Sequence, residues 1–311
     1  MNDFTSFAEQ FGVLIRDPIP DDRVHRVKTT DHKNKRNGAY IFNGITGSVR
    51  NWATMQDWAL FRPDKAQPLP RIDHARLRRL REQSEREERE AHAAAVKHAS
   101  AMLAAAKMIR PRAATKWTDG VVSHPYLRRK GFESAECLVL ESAYRIARPS
   151  RPDMVIEAGS MLVPMRDYGS DRLVGMQAID AEGTKLFIPG SRAKGAVFKL
   201  GRAPELWLCE GLATAYSLQA ALKILYREAE VLVCFSAGNV IEVARRIEGR
   251  EAYVVADHDH PNPQAPQGAG RAAAEKTGLP WVQPDEEGMD VNDVHVKYGI
   301  KAVRDLLRRI L

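Results

Sequence analysis

The chain has 311 residues, enough for two or three domains with a sizeable core. Its 47 Lys and Arg against 40 Asp and Glu give a formal charge of +7, a lean toward polyanions that by itself decides little. Hydrophobic residues make up 44%, no apolar run approaches the roughly 18 residues of a membrane span, and Met1-Asn-Asp-Phe4 lacks a basic, then apolar, leader, so the expectation is a cytoplasmic protein with no membrane partner.

Residues 1–62 read as a small N-terminal α+β unit. Phe4 to Leu14 has helical spacing with Phe7, Phe11 and Leu14 on one face, Val24–Val27 and Tyr40–Phe42 are short strands, and Asn43-Gly44 and Thr46-Gly47 mark turns. Tyr40, Phe42, Trp52 and Trp58 interleave with Arg23, Arg26, Lys33, Lys35, Arg36 and Arg50, a mixture suited to phosphate contacts and base stacking. A small core of aromatics with a solvated rim would give the same pattern. Residues 63–116 follow as a linker and a long helix. Pro63 to Pro70 is proline-rich, and Asp73 to Lys107 contains no Gly or Pro. The first half of that helix alternates charge at i,i+3 and i,i+4, which predicts a solvated arm, and the second half is Ala-rich with Val96, Met102, Leu103 and Ile109 available for packing.

Residues 117–202 read as a mixed α+β subdomain. Ser123 is placed to cap a short helix that Gly131 ends, and Leu138–Leu140, Met161–Met165, Leu173–Ile179 and Lys185–Ile188 are strands separated by turns. This region supplies the cations Arg166, Lys185, Arg192, Lys194 and Lys199.

Residues 203–311 carry the pattern that suggests chemistry. Leu206–Cys209, Val231–Phe235 and Tyr253–Ala256 are short apolar runs, each followed by helical spacing, which predicts a parallel sheet covered on both faces. Such sheets bind ligands beyond the carboxyl ends of their strands, where Glu210, Asp257 and Asp259 fall. One carboxylate there is commonly a cap; several converging repel one another unless a cation sits between them, and hard oxygen ligands suit Mg²⁺ or Mn²⁺. Asp290 and Asp293, before a last helix spanning Val291–Leu311, extend the candidate metal set. Gly238 permits close backbone approach, and Asn239 opens a helix whose first amides suit a phosphate. His258 and His260 are softer donors than Mg²⁺ prefers. The cysteines, Cys137, Cys209 and Cys234, form no Cys-x-x-Cys pair, so neither a disulfide framework nor a zinc site is expected.

Glu210-Gly211, Ser236-Ala-Gly-Asn239 and Asp257-His-Asp259, each after a strand, resemble the Toprim domain shared by DnaG-type primases, type IA and II topoisomerases and some nucleases. His124-Pro-Tyr-Leu-Arg-Arg-Lys-Gly131, Leu162-Val-Pro-Met-Arg166, Leu173–Asp180 and Gly183–Phe187 are similar, in order, to segments that precede Toprim in phage and plasmid primases. The resemblance spans about residues 120–311 and, more weakly, the first sixty, where similar segments suggest DNA binding. It implies an α/β fold in which the Toprim parallel sheet is flanked by helices and preceded by a primase subdomain.

The activity it implies is metal-dependent synthesis of short RNA primers, with Mg²⁺ or Mn²⁺ as cofactor and single-stranded DNA template, nucleoside triphosphates and a separate replicative helicase as partners. Glu210, Asp257, Asp259 and Lys185 would be catalytic, with the acids, Asp290 and Asp293 at the metal. Arg166, Lys185, Arg192, Lys194, Gly238 and Asn239 would hold nucleotide or DNA. Thr214 stands where DnaG-type primases often have an acid four residues after the Glu, which removes one candidate ligand. A Toprim nuclease and a non-catalytic DNA-binding or recombination protein are the alternatives. The chain is too short for the tyrosine-bearing domains of a topoisomerase.

Overall fold

The computed structural model describes residues 3–31, 36–55, 57–63, 74–113, 116, 120–148, 151–262 and 265–311. The expected linker at 64–70 and the start of the second body at Trp117 lie outside the described residues. The chain divides into two units, Met1–Arg89 and Glu90–Leu311.

In the first unit, α1 (Phe4–Glu9) precedes four antiparallel strands, β1 (His25–Val27), β2 (Gly38–Phe42), β3 (Gly47–Asn51) and β4 (Ala59–Phe61), ordered β1-β2-β3-β4. The helix is shorter than its apolar spacing predicts: Asp3 caps it by accepting from the Ser6 amide, and Gly12 turns the chain at φ 69°. Phe4 and Ala8 then pack with Tyr40, Val49 and Phe61 on one face of the sheet. Phe4 stacks on Phe42 with ring centroids 4.4 Å apart, and the same ring fills the space over Gly47, where a Cβ would stand 2.5 Å from it. Tyr40 is therefore a core residue, and Phe42 packs half-buried against the same cluster.

Helix α2 (His74–Ala104) stops before Lys107, and Ala106–Ile109 is a strand, β5, paired antiparallel with β6 (Cys137–Leu140). The expected helical continuation to Lys107 gives way because this pairing completes a sheet edge, an interaction that local periodicity does not contain. Ala95, Ala99 and Met102 of α2 pack on Leu140, Leu162 and Met176.

Between these strands lies α3 (Pro125–Arg129), capped by His124 rather than Ser123. The His124 Nδ1 accepts from the Tyr126 amide, Pro125 takes the first helical turn where no amide is needed, and Gly131 at φ 86° ends the helix. β7 (Tyr144–Ile146) and β8 (Met154–Ile156) form a separate hairpin. β9 (Met161–Asp167), β10 (Leu173–Ile179), β11 (Lys185–Phe187) and β12 (Ala196–Leu200) are followed by β13 (Glu205–Cys209), α4 (Leu212–Ile224), β14 (Ala229–Val233), α5 (Ala237–Ala244), β15 (Ala252–Val255), α6 (Ala269–Thr277) and β16 (Trp281–Val282). The helix expected over Val291–Leu311 is broken by Gly299 at φ 81° into α7 (Val291–Tyr298) and α8 (Ile300–Leu307), with a final 3₁₀ turn at Arg308–Ile310. Helix α4 ends before Tyr226, which has φ 55° and is 95% exposed.

The fold is mixed α/β. Ten strands form one sheet in which β11-β10-β9-β12 run antiparallel and β14-β13-β15-β16 run parallel, joined by the antiparallel pairing of β12 with β14. The subdomain boundary expected near residue 202 therefore falls inside a continuous sheet. Along the parallel strands, Trp207, Cys209, Val231, Val233, Tyr253 and Val255 face the core under α4, α7 and α8. Leu206, Leu208, Leu232 and Val254 face Val240, Val243 and Ala274 on the other side. Both faces are apolar because both are covered. Burying Trp207 and each such Leu or Val contributes roughly 1.5–3 kcal/mol against leaving it exposed. Among the described residues, no helix is long and apolar enough to cross a membrane.

Candidate active site

The parallel strands β13 and β15 are hydrogen-bonded neighbours, with Leu208 opposite Val254. That register brings Glu210 and Asp257, just past their carboxyl ends, to one edge of the sheet. Burial is the first cause that pushes Glu210 up to about 7, and the charge of Asp259 adds to it; the Ala237 amide at the start of α5 and Lys185 pull the other way. Asp257 is pushed up to about 8 by burial first, then by Glu210, Asp290 and Asp259, again opposed by Lys185. Glu210 Oε1 and Asp257 Oδ1 are both buried and have no hydrogen-bond partner. An unpaired buried carboxylate oxygen is costly, and two beside each other define a place for a proton or a cation.

Asp259 is held differently. Its Oδ2 accepts from the Gly270 amide at 2.7 Å, in the first turn of α6. The Gly268–Gly270 segment lies directly on the acidic strand end: a Cβ on Gly270 would stand 2.3 Å from the Asp257 carbonyl oxygen, and one on Gly268 2.5 Å from that of Asp259.

The other acids are partly committed. Asp290 and Asp293 form a reciprocal cap on α7, each side chain accepting from the other's amide at 2.8 and 3.1 Å, and Lys130 Nζ lies 3.5 Å from Asp293. Asp290 still acts on the site through its charge, which raises Asp257; its neighbour is spent on the helix end. Among the described residues, no three His, Cys, Asp or Glu side chains form a ready metal cage. The donor set suits a hard cation that uses one or two carboxylates and completes its shell with water and substrate phosphates, as Mg²⁺ commonly does. His258 Nδ1 is bound to the Pro284 carbonyl at 2.8 Å and His260 Nδ1 to Glu287 at 2.5 Å, so both brace the 284–289 loop.

Of the expected cations, Lys185 is the one whose charge reaches both Glu210 and Asp257; it is exposed on β11. Arg166 donates to the Asp171 carbonyl at 2.9 Å, Lys194 lies 3.6 Å from Glu242, Lys199 bonds Asp171 at 3.1 Å, and Arg192 is exposed in the loop before β12. Gly238 has open space where a Cβ would be. Asn239 is a buried rivet: its Oδ1 accepts from Gly195 N at 2.6 Å and its Nδ2 donates to the Ala196 and Cys234 carbonyls at 2.7 and 2.8 Å. Its amide is taken by the Ser236 cap, so neither its side chain nor its amide is available to a phosphate as expected. Two aromatics were not anticipated. Phe187, two residues from Lys185, meets Phe235 edge-on at 6.1 Å, and Phe235 stands at φ 68° with its amide on the Glu210 carbonyl. The alternation of Lys185 with Phe187 on one strand was the signal for this wall.

Fold and site together define an α/β protein with an acidic cluster at the carboxyl edge of a parallel sheet. No family model matches the chain. Among solved structures it is similar to the RNA polymerase domain of the Mycobacterium tuberculosis primase DnaG, determined with double-stranded DNA, at 20% identity and a TM-score of 0.35, over 59% of this chain and 62% of that one. The match thus spans under two thirds of that structure. It is also similar to a chain of a bacteriophage T7 assembly of lagging-strand DNA polymerase with primase domains of two gp4 subunits, bound to an RNA/DNA hybrid and dTTP, at 13% identity and a TM-score of 0.33, over 53% of this chain and 92% of that one.

Proposed function

We propose that this chain is a DNA primase of the Toprim type: a metal-dependent nucleotidyltransferase that makes short RNA primers on single-stranded DNA for a phage, plasmid or other mobile element. The observation that carries the reading is the pair of buried, unpartnered oxygens, Glu210 Oε1 and Asp257 Oδ1, beyond adjacent parallel strands. Asp257 and Asp259 would hold Mg²⁺ or Mn²⁺, with Glu210 as a further ligand or as the proton acceptor; the ion when bound supplies screening of the phosphates and lowers the pKa of the attacking hydroxyl.

The chain's own residues account for the rest. The primer 3′-oxygen attacks the nucleotide α-phosphorus, the bond to the β-phosphate breaks, and pyrophosphate leaves. Glu210, poised near neutrality, is the group we assign to accept the hydroxyl proton. Asp259, fixed by Gly270, keeps the acidic edge aligned. Lys185 faces the charge that builds on the α-phosphate, and Arg166, Arg192 and Lys194 form the flank along which template and nucleotide phosphates run. Gly238 leaves room for close approach of a phosphate. A separate helicase would supply the unwound template.

Incubation with single-stranded DNA, labelled ribonucleotides and Mg²⁺ tests the reading. Short labelled products support it, degradation of the template identifies a nuclease, and neither product identifies a non-catalytic DNA-binding protein.

A further inference from the structure

The acidic site carries an aromatic wall that the chemistry described so far does not use. Lys185, Leu186 and Phe187 make up β11, the edge strand of the sheet, where they pair with Ile179, Ala178 and Gln177 of β10. Side chains alternate along a strand, so Leu186 turns toward Met176 and Ala178 in the core, while Lys185 and Phe187 share the opposite face about 6.8 Å apart. Lys185 is the cation whose charge reaches Glu210 and Asp257, and Phe187, its neighbour on that face, is 40% exposed. Phe235 comes to the same place from the end of β14. Its amide donates to the Glu210 carbonyl at 2.9 Å, and its side chain packs with Met165, Val174 and Ala196. It does so at φ 68°, a conformation that bulky L residues avoid and that these contacts hold in place. The Phe187 ring meets it edge-on, with centroids 6.1 Å apart and planes at 75°.

We propose that Phe187, braced by Phe235, is the platform on which the base of the bound nucleotide stacks; the inference rests on the reading of the acidic edge as a nucleotide site. An apolar ring left open beside a lysine and a cluster of carboxylates gains burial from a ligand that is anionic at one end and planar at the other. Inorganic phosphates would meet Lys185 and leave the ring bare, whereas a nucleoside triphosphate engages both. The ring is already oriented by Phe235, so stacking on it costs little ordering. Phenylalanine has no donor or acceptor, so the platform takes the π-face of every base and reads none of their edges, which leaves the choice of base to the template.

The test is calorimetric titration of the full chain, with Mg²⁺ and without template, by ATP and separately by inorganic tripolyphosphate. Phe187→Leu keeps an apolar side chain on the edge strand and removes only the ring, and melting curves check that the fold is retained. It should weaken ATP binding about 5- to 10-fold, the lower end of what one stacked base contributes, and leave tripolyphosphate binding unchanged. GTP, CTP and UTP should lose affinity by a similar factor. Lys185→Ala should weaken ATP and tripolyphosphate together, and Phe187→Trp should retain the preference for ATP over tripolyphosphate.

Unchanged ATP affinity in Phe187→Leu overturns the proposal. So does an equal loss for ATP and tripolyphosphate, which marks a merely structural role, or a loss confined to one of the four nucleotides, which a hydrocarbon ring cannot produce. The functional proposal fails separately: a chain that binds ATP through Phe187 and makes no primer leaves the inference standing, while primer synthesis with an unaltered nucleotide KM in Phe187→Leu sinks the inference alone. A wild-type chain that binds no ATP removes both.

Discussion

The Glu210 carboxylate stands close enough to Asp257 to raise its pKa, although the two residues end different strands and are separated by a whole β-α-β unit. Each also keeps one buried oxygen without a partner. Such a pair is destabilising in the empty protein and useful to a ligand that neutralises it. Glu210→Gln and Asp257→Asn should therefore each lower primer synthesis on the order of 10²-fold or more, the scale for losing one preorganised electrostatic contact. In the presence of EDTA the same variants should melt higher than the wild type, by roughly 2–4 °C for each kcal/mol of relieved repulsion. Retained synthesis in either variant, followed by product gels, would remove these residues from the site.

The sign of the pH dependence follows from the same pair. The unfolded chain holds the two carboxyls near 4.5 and 3.8, and the folded protein holds them at about 7 and about 8. Between these limits the native state binds more protons than the unfolded state, so stability falls as pH rises from about 4 to about 8 and levels off beyond. Thermal melts in EDTA across that range should show the decline, and the Glu210→Gln, Asp257→Asn double variant should flatten it. Parallel curves for the two proteins would mean that folding does not raise these two carboxyls.

The parallel half of the sheet was legible because strands covered on both faces are apolar at every position, as in Leu206–Cys209 and Val231–Val233. The hairpin of β7 and β8 and the two-residue β16 left no such run, being short and partly exposed. Ala106–Ile109 has a composition that suits a helix as well as a strand, and only its partner Cys137–Leu140 decides. At the site, the positions of Glu210, Asp257 and Asp259 were readable from strand ends. The contact of Gly270 with Asp257 was not, because it joins two backbones across a proline-rich loop. Asn239 carried a misleading signal: a residue in the first turn of a helix looks available to phosphate, and the three bonds that bury it come from other elements.

Asn239 therefore yields a stability prediction. Asn239→Ala leaves the Gly195 amide and the Ala196 and Cys234 carbonyls without their buried partner, which should cost about 2–4 kcal/mol in denaturant unfolding. A loss in nucleotide affinity with unchanged stability would instead assign it a direct role.

Metal dependence follows from the hardness of the donors. Activity should vanish when EDTA strips divalent ions and return with Mg²⁺ or Mn²⁺ alone, because carboxylates and phosphates are oxygen ligands that hold these ions loosely. Elemental analysis should find no stoichiometric zinc, since Cys209 and Cys234 are fully buried and His258 and His260 are each engaged at one ring nitrogen. A firmly bound zinc per chain would redirect attention to those histidines.

Gly270 provides the most local test of the site's geometry. Its amide holds Asp259 Oδ2 at 2.7 Å, and its α-carbon lies so near Asp257 that an added Cβ would stand 2.3 Å from the carbonyl oxygen and 3.0 Å from the amide nitrogen of that residue. Those atoms belong to backbone and cannot swing aside as a flexible side chain would, so Gly270→Ala must push the start of α6 away from the acidic strand end or shift the strand end itself. Alanine is otherwise the better helix former, by about 1 kcal/mol in a helix interior, and the position lies in the first turn of α6. The expected result is a variant with near-normal helix content but a lowered melting temperature, a kcat lowered at least about 10-fold, as a displacement near 1 Å in a catalytic group can cause, and a template KM that does not move. Wild-type kcat in Gly270→Ala would show that the acidic edge tolerates displacement, and the alignment role assigned to Asp259 would then fall.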